Sequence, residues 1–134
     1  MEKLLSFFAA ENFEVAQLYL FGGVKFLDLL LLVMVLDIVT GVIKAIKKGE
    51  LQSKQSLLGY SRKLLVLVVI VLANVIDQVL DMGGAITYAT VVFYICTEGL
   101  SILENLAEMG VAIPTKLAKK LKVMQPGSKD EGMG

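Results

Sequence analysis

The chain has 134 residues, its 13 basic and 13 acidic residues cancel in net charge, and 56% of its residues are hydrophobic. A soluble domain of this length has too little interior to bury so much apolar surface, so length and composition favour a single membrane domain. With no His and one Cys, Cys96, the sequence lacks the usual base for a nucleophile and any metal-ligand cluster of plausible spacing, so we expect no enzyme activity, no cofactor and no metal site.

The N-terminal stretch, residues 4–21, mixes aromatic and aliphatic residues with polar ones. Phe7, Phe8 and Phe13 are interleaved with Glu11 and Glu14. We interpret this stretch as an amphipathic helix that lies in or near the outer membrane interface. Two alternatives stay open: a fourth transmembrane span, which would place the N-terminus inside, and a cleaved signal peptide with a short apolar core.

Three later segments are long enough to cross a hydrocarbon core, which takes about 20 helical residues. They cover about residues 26–46, 63–82 and 84–103. The second begins with an unbroken apolar run over 64–73, and strands seldom exceed about 10 residues. We predict an all-α membrane protein with three transmembrane helices, in one helical domain of residues 1–124 followed by a disordered tail, 125–134.

The segment after the third span has the pattern of a short basic amphipathic helix. Gly110 can end a helix and Pro114 can begin the next one, and Leu117, Leu121 and Met124 share a helix face. This helix is suited to an anionic inner leaflet, and the alternative is a solvated helical tail. The basic residues assigned to the membrane surface are Lys116, Lys119, Lys120 and Lys122.

The positions of Lys and Arg predict the orientation. Basic residues are concentrated in the loop after the first span and in the C-terminal tail, and the turn between the second and third spans has none. Because basic loops stay in the cytoplasm, we expect a multi-pass protein of the bacterial cytoplasmic membrane, with its C-terminus inside and its N-terminus outside. Topology accounts for both basic segments, so we expect no nucleic-acid partner.

Each span carries a polar stripe at helical spacing. In the first span the stripe comprises Asp37, Thr40, Gly41 and Lys44, at i, i+3, i+4 and i+7. A charge at the centre of a transmembrane helix costs about 2.5–3.5 kcal/mol on insertion scales, so these faces must find partners or water. The other stripe candidates are Asn74 and Asp77 in the second span and Glu98 and Ser101 in the third; Gly41, Ala73 and Gly99 would allow close helix packing.

Depth along each helix suggests which stripe residues meet. At about 1.5 Å per residue, Asp37, Asn74 and Tyr94 all lie roughly 14–17 Å from the inner face and could meet near the midplane. Lys44 and Glu98 lie closer to the inner face, within reach of each other once Lys44 snorkels. Two interpretations remain: the stripes hold a small bundle together, or they line a water-filled path. A pore would need several copies, because three helices leave little room inside.

Four phrases in order resemble the toxin-secretion/phage-lysis holin family: DIVTGVIKAI, SKQSLLGYSRK, ANVIDQVL and FYICTEGLSILENLAEMGVAIP. The resemblance covers about residues 28–122. It implies a small phage or prophage protein that oligomerises in the cytoplasmic membrane and makes lesions, which release a cell-wall-degrading enzyme or a toxin. Such proteins are usually drawn with three spans and a cytoplasmic basic C-terminus, and they have no catalytic residues.

On this resemblance we assign Asp37, Lys63, Asp77, Glu98 and Glu104 as polar contacts in the bundle or in a pore wall. The expected partners are the lipid bilayer and further copies of the chain, with an antiholin as another candidate and no small-molecule substrate. Two other functions stay open. One is a small ion channel or transporter subunit, and the other is an antiholin-like regulator that is harmless when expressed alone.

Overall fold

The structure, a computed structural model, describes residue 2, residues 10–49 and residues 53–125, with side chains from 12–49 and 58–125 in the two long ranges. Five helices follow one another, and no strand occurs in these ranges, so the all-α class is confirmed. The first part of the predicted interfacial segment, 4–9, and the predicted tail from 126 on lie outside the described residues. The helices are α1 (Ala10–Phe21), α2 (Leu27–Lys48), α3 (Ser53–Leu80), α4 (Ala85–Glu108) and α5 (Thr115–Met124).

The three predicted spans correspond to α2, α3 and α4. Each contains a segment long and apolar enough to cross a membrane: Leu27–Lys48, Leu58–Leu80 and Ala85–Glu108. The helices extend beyond the spans predicted from hydropathy, because α4 ends at Glu108 and α3 begins at Ser53, ten residues before Lys63. Residues 53–62 are more polar than the rest of the helix, but most of them are compatible with a helix. Hydropathy therefore marked the apolar part of α3 and not its first residue.

A glycine-based turn joins α4 to α5. Gly110 has φ 89°, the left-handed conformation that favours glycine. Its N–H donates to the Ala107 carbonyl at 3.0 Å, and the Val111 N–H donates to the Leu106 carbonyl at 3.0 Å. These two bonds form a Schellman motif, which satisfies carbonyls at the end of α4 and reverses the chain toward α5.

Helix α4 lies at the centre of the fold, where α2, α3 and α5 all pack against it, whereas α1 packs against α3. A small apolar core joins α2, α3 and α4, and many large apolar side chains on α2 and α3 face outward. An apolar exterior around a small core suits a protein surrounded by lipid. The core residues are Leu27, Leu30, Met34, Ile70 and Val91.

The two ends of the helix bundle are named for the text below. We call the end where α2 stops and α3 starts the basic end, and the end with the α3–α4 turn the acidic end.

Candidate functional site

A buried ion cluster joins the three membrane-spanning helices. The Lys63 ammonium on α3 lies 2.6 Å from Asp37 Oδ2 on α2 and 2.8 Å from Glu98 Oε2 on α4. The side chains of Lys63, Asp37 and Glu98 are only 17%, 10% and 8% exposed. With both carboxylates ionised, the three groups together carry one net negative charge. Such a group inside a membrane protein is costly unless it is paired, which this geometry achieves.

Neutral polar groups donate further hydrogen bonds to the Asp37 carboxylate. Ser101 Oγ donates to Asp37 Oδ1 at 2.9 Å, and Asn105 Nδ2 donates to the same oxygen at 3.1 Å and to Thr40 Oγ1 at 3.0 Å. Glu98, Ser101 and Asn105 share one face of α4, so they meet Asp37 and Thr40 across the α2–α4 interface. We call these residues together the central cluster: Asp37, Thr40, Lys63, Glu98, Ser101 and Asn105.

The expectation that Asp37, Asn74 and Tyr94 meet near the midplane is wrong. Asn74 contacts α1 near the acidic end, Tyr94 packs against the apolar core, and Lys63 takes the place beside Asp37. The depth estimate failed because it placed the membrane end of the second span at Lys63. Since α3 begins at Ser53, Lys63 lies about 15 Å into the helix, level with the middle of α2.

At the acidic end, Asp77 caps α4. Its carboxylate accepts hydrogen bonds from the Ile86 N–H at 3.0 Å, from the Thr87 N–H at 2.7 Å and from the Thr87 hydroxyl. Gly84, at the N-cap position of α4, has no side chain to do this. A carboxylate at a helix N-terminus satisfies unpaired N–H groups and interacts favourably with the helix dipole. Asp77 therefore fixes the α3–α4 hairpin.

Asn74 of α3 binds the end of α1 through two hydrogen bonds. Its side-chain amide donates to the Tyr19 carbonyl at 3.1 Å and to the Leu20 carbonyl at 3.0 Å. These carbonyls belong to the last turn of α1 and have no partner within the helix. A Cβ at Gly22 would lie 2.8 Å from Asn74 Oδ1, so the chain passes Asn74 closely where it leaves α1.

At the basic end, Lys44 pairs with Glu108 and not with Glu98. Lys44 Nζ lies 2.7 Å from Glu108 Oε2, and Lys48 Nζ lies 3.9 Å from Glu108 Oε1. These side chains are 27–40% exposed, so the pair is a partly solvated tie between the ends of α2 and α4. Glu108 was not predicted from the sequence, because the predicted third span ends at Leu103. The step of three residues from Asn105, which continues the polar face of α4, was the signal that could have indicated it.

The remaining candidates differ in their surroundings. Glu104 is exposed and does not join the central cluster, whereas Ala73 is buried. A Cβ at Gly41 would make an ordinary contact with Asn105 at 3.7 Å, but a Cβ at Gly99 would lie 3.2 Å from Leu121 of α5. Gly99 is therefore the glycine at which two helices approach closely. The assigned surface lysines of α5 are exposed: Lys116, Lys119, Lys120 and Lys122.

The buried polar side chains are satisfied in the described part of the chain. No buried side-chain nitrogen or oxygen there lacks a hydrogen-bond partner. Among the same residues, no group of three or more His, Cys, Asp or Glu side chains is placed to hold a metal ion. The central cluster thus presents neither an open ligand site nor a free nucleophile. Its geometry supports the interpretation that, within one chain, the stripes hold the helices together.

Comparisons with known proteins agree on one family. The family described as the bacteriophage holin family matches residues 16–126. An uncharacterized Bacillus subtilis protein, YqxH, is 50% identical over 125 residues, which cover 93% of this chain and 89% of the relative. A protein of Bacillus phage phi105 named as a probable holin is 50% identical over 115 residues, covering 86% of this chain and 85% of the relative. No solved structure matches this chain.

Proposed function

The chain belongs to the bacteriophage holin family, and we propose that it oligomerises in the cytoplasmic membrane and forms lesions that release a cell-wall-degrading enzyme or a toxin. Family membership and three apolar helices make it a multi-pass inner-membrane protein. The observation that carries the finer proposal is the 50% identity to a probable holin of a phage, over most of both chains. In this proposal the chain acts without catalysing a reaction.

The geometry supports a chain that can accumulate before it acts. The buried charged residues Asp37, Lys63 and Glu98 are paired inside one chain, and apolar side chains face outward on α2 and α3. A single copy can therefore reside in lipid without exposing the central cluster to acyl chains. Because the stripes are used inside the chain, a lesion must be built from several copies and must recruit further polar surface.

The distribution of basic residues supports the orientation of the proposed assembly. Lys44, Lys47 and Lys48 lie at the end of α2, and the lysines of α5 follow the end of α4. The turn between α3 and α4 has no basic residue. By the positive-inside rule, the basic end and the C-terminus lie in the cytoplasm, and the N-terminus lies outside. An antiholin would be an additional partner in this scheme.

The experiment is expression of the chain alone from an inducible promoter in a bacterial host. Growth, membrane potential and release of a cytoplasmic reporter enzyme of known size are followed together. A holin stops growth abruptly, collapses the potential and releases the folded reporter. Loss of potential without reporter release would identify a small ion channel instead. Harmless expression, combined with delayed lysis by a second holin, would identify an antiholin-like regulator.

A further inference from the structure

Helix α5 packs on α4, and we call the place where Leu121 and Gln125 meet Gly99 and Thr97 the seat of α5. Its Leu121 packs against Gly99, where an added Cβ would lie 3.2 Å from Leu121 Cδ1. Beyond its last turn, Gln125 Nε2 donates to Thr97 Oγ1 at 3.0 Å. Because the turn at Gly110 reverses the chain, α5 runs antiparallel beside the second half of α4.

This seat lies at the depth of the hydrocarbon. Gly99 is fourteen residues from Ala85, the first residue of α4, which corresponds to about 21 Å along the helix. For a hydrocarbon core of about 30 Å that begins at Ala85, Leu121 lies roughly 9 Å inside the inner boundary. Thr97, and with it Gln125, lies about 3 Å deeper. The second half of α5 is therefore placed beside the inner leaflet and not below it.

The outward face of the seated α5 is rich in positive charge, which acyl chains do not solvate. It presents four exposed lysines within ten residues, at 116, 119, 120 and 122, beside the exposed apolar side chains of Leu117, Val123 and Met124. Snorkelling can bring the ammonium groups toward the cytoplasm, but water must then reach them along the helix. On α2, by contrast, the exposed side chains at the same level are Val39, Ile43 and Ile46. This half of the fold thus has an apolar side on α2 and an amphipathic, lysine-rich side on α5.

We propose that the lysine face of α5, seated on α4, is the surface that faces water when copies of this chain assemble. The inference rests on the proposed function, because the water is that of the lesion. In a dispersed chain surrounded by lipid, α5 leaves α4 and binds the anionic inner leaflet through the same lysines. Assembly replaces lipid with water beside α4, and α5 then takes its seat at Gly99.

A disulfide between positions 99 and 121 tests the seat. A Cβ at Gly99 would lie 3.9 Å from Leu121 Cγ, so Gly99→Cys with Leu121→Cys, in a Cys96→Ser background, places two thiols on facing positions of the α4–α5 contact. Membranes are isolated before and after the onset of lysis and oxidised briefly, and the intramolecular cross-link is quantified by mass spectrometry. We expect the cross-linked fraction to rise at least fivefold at onset. Leu121→Cys alone controls for cross-links between chains.

A second pair of cysteines controls for disturbance of the contact between Gly99 and Leu121 by the new side chains. In Thr97→Cys with Gln125→Cys, bridged by a short bifunctional thiol reagent, the cross-linked fraction should show the same rise. Gly99→Leu should at least double the time to lysis at equal membrane content. An equal cross-linked fraction before and after onset, no cross-link at either time, or normal timing in Gly99→Leu would overturn the inference. If the unmodified chain never collapses the potential, the proposed function itself fails.

Discussion

The ammonium group of Lys63 lies 2.6 Å from a carboxylate oxygen of Asp37, although Lys63 begins the apolar part of α3 and Asp37 lies in the middle of α2. The same ammonium binds Glu98 on α4. One cation therefore bridges three helices and lies between two buried carboxylates. The loss of Lys63 leaves two carboxylates facing each other, whereas the loss of either carboxylate leaves a neutral pair. This asymmetry makes the cluster testable.

Lys63→Met should destabilise the bundle strongly. Removal of one partner from a buried ion pair costs about 3–5 kcal/mol, because the remaining charges lose their compensation. Thermal unfolding of the purified protein in detergent measures the loss. In the triple variant Asp37→Asn, Lys63→Met and Glu98→Gln, no uncompensated charge remains, so much of the stability should return. A wild-type unfolding temperature for Lys63→Met alone would show that the cluster does not hold the helices.

Glu98→Gln and Asp37→Asn should both alter lysis timing while expression and insertion persist. Asp37→Asn should have the larger effect, because Asp37 also accepts from Ser101 and Asn105. Time to lysis after induction, at matched membrane content, is the measurement. Glu104→Gln is the matched control, since Glu104 is exposed on the same helix. Unchanged timing in both cluster variants would remove these carboxylates from the mechanism.

Asn74→Ala should release α1 from α3. Two hydrogen bonds are lost, each worth about 0.5–1.5 kcal/mol, so we expect roughly a tenfold loss of amide protection. Hydrogen–deuterium exchange of residues 10–21 in detergent or nanodiscs reads this directly. Gln78→Ala, an exposed position one turn along α3, should leave the exchange unchanged. Equal protection in both variants would mean that α1 is held by other contacts.

Asp77→Ala should loosen the α3–α4 hairpin, because the Ile86 and Thr87 N–H groups lose their acceptor. A lower unfolding temperature in detergent and faster amide exchange at residues 85–88 are expected. Asp81→Asn is the control: Asp81 is exposed and has φ 53°, a conformation that Asn tolerates. If the control loses as much stability as Asp77→Ala, turn geometry and not capping explains the effect.

The sequence predicted much of this architecture. Long apolar runs identified the three spans, since lipid requires each to be an apolar helix. The spacing of Asp37 and Thr40, and of Glu98 and Ser101, predicted the faces that meet in the central cluster. Gly110 and Pro114 predicted the turn and the start of α5. These features depend on local periodicity or on single-residue conformational preferences, which a sequence displays directly.

The pairing of charges could not be read in the same way. Lys63 reaches Asp37 because α3 starts in a polar segment, where hydropathy gives no sign of a helix. Lys44 reaches Glu108 because α4 continues past its most apolar part. Pairing depends on the relative axial shift of the helices, and a shift of one turn, about 5.4 Å, changes every partner. The capping of α4 by Asp77 across the turn depends on the same axial shift between helices.

The bridge at Lys63 also constrains how the chain can be made. Asp37 precedes Lys63 by 26 residues and Glu98 follows it by 35. When α2 leaves the ribosome, its carboxylate has no counter-ion, and about 2.5–3.5 kcal/mol opposes its separate entry into lipid. The charge is compensated once α3 has been synthesised, and the arrangement is complete only with α4. The cost of Asp37 in lipid is therefore relieved in two steps, first by α3 and then by α4.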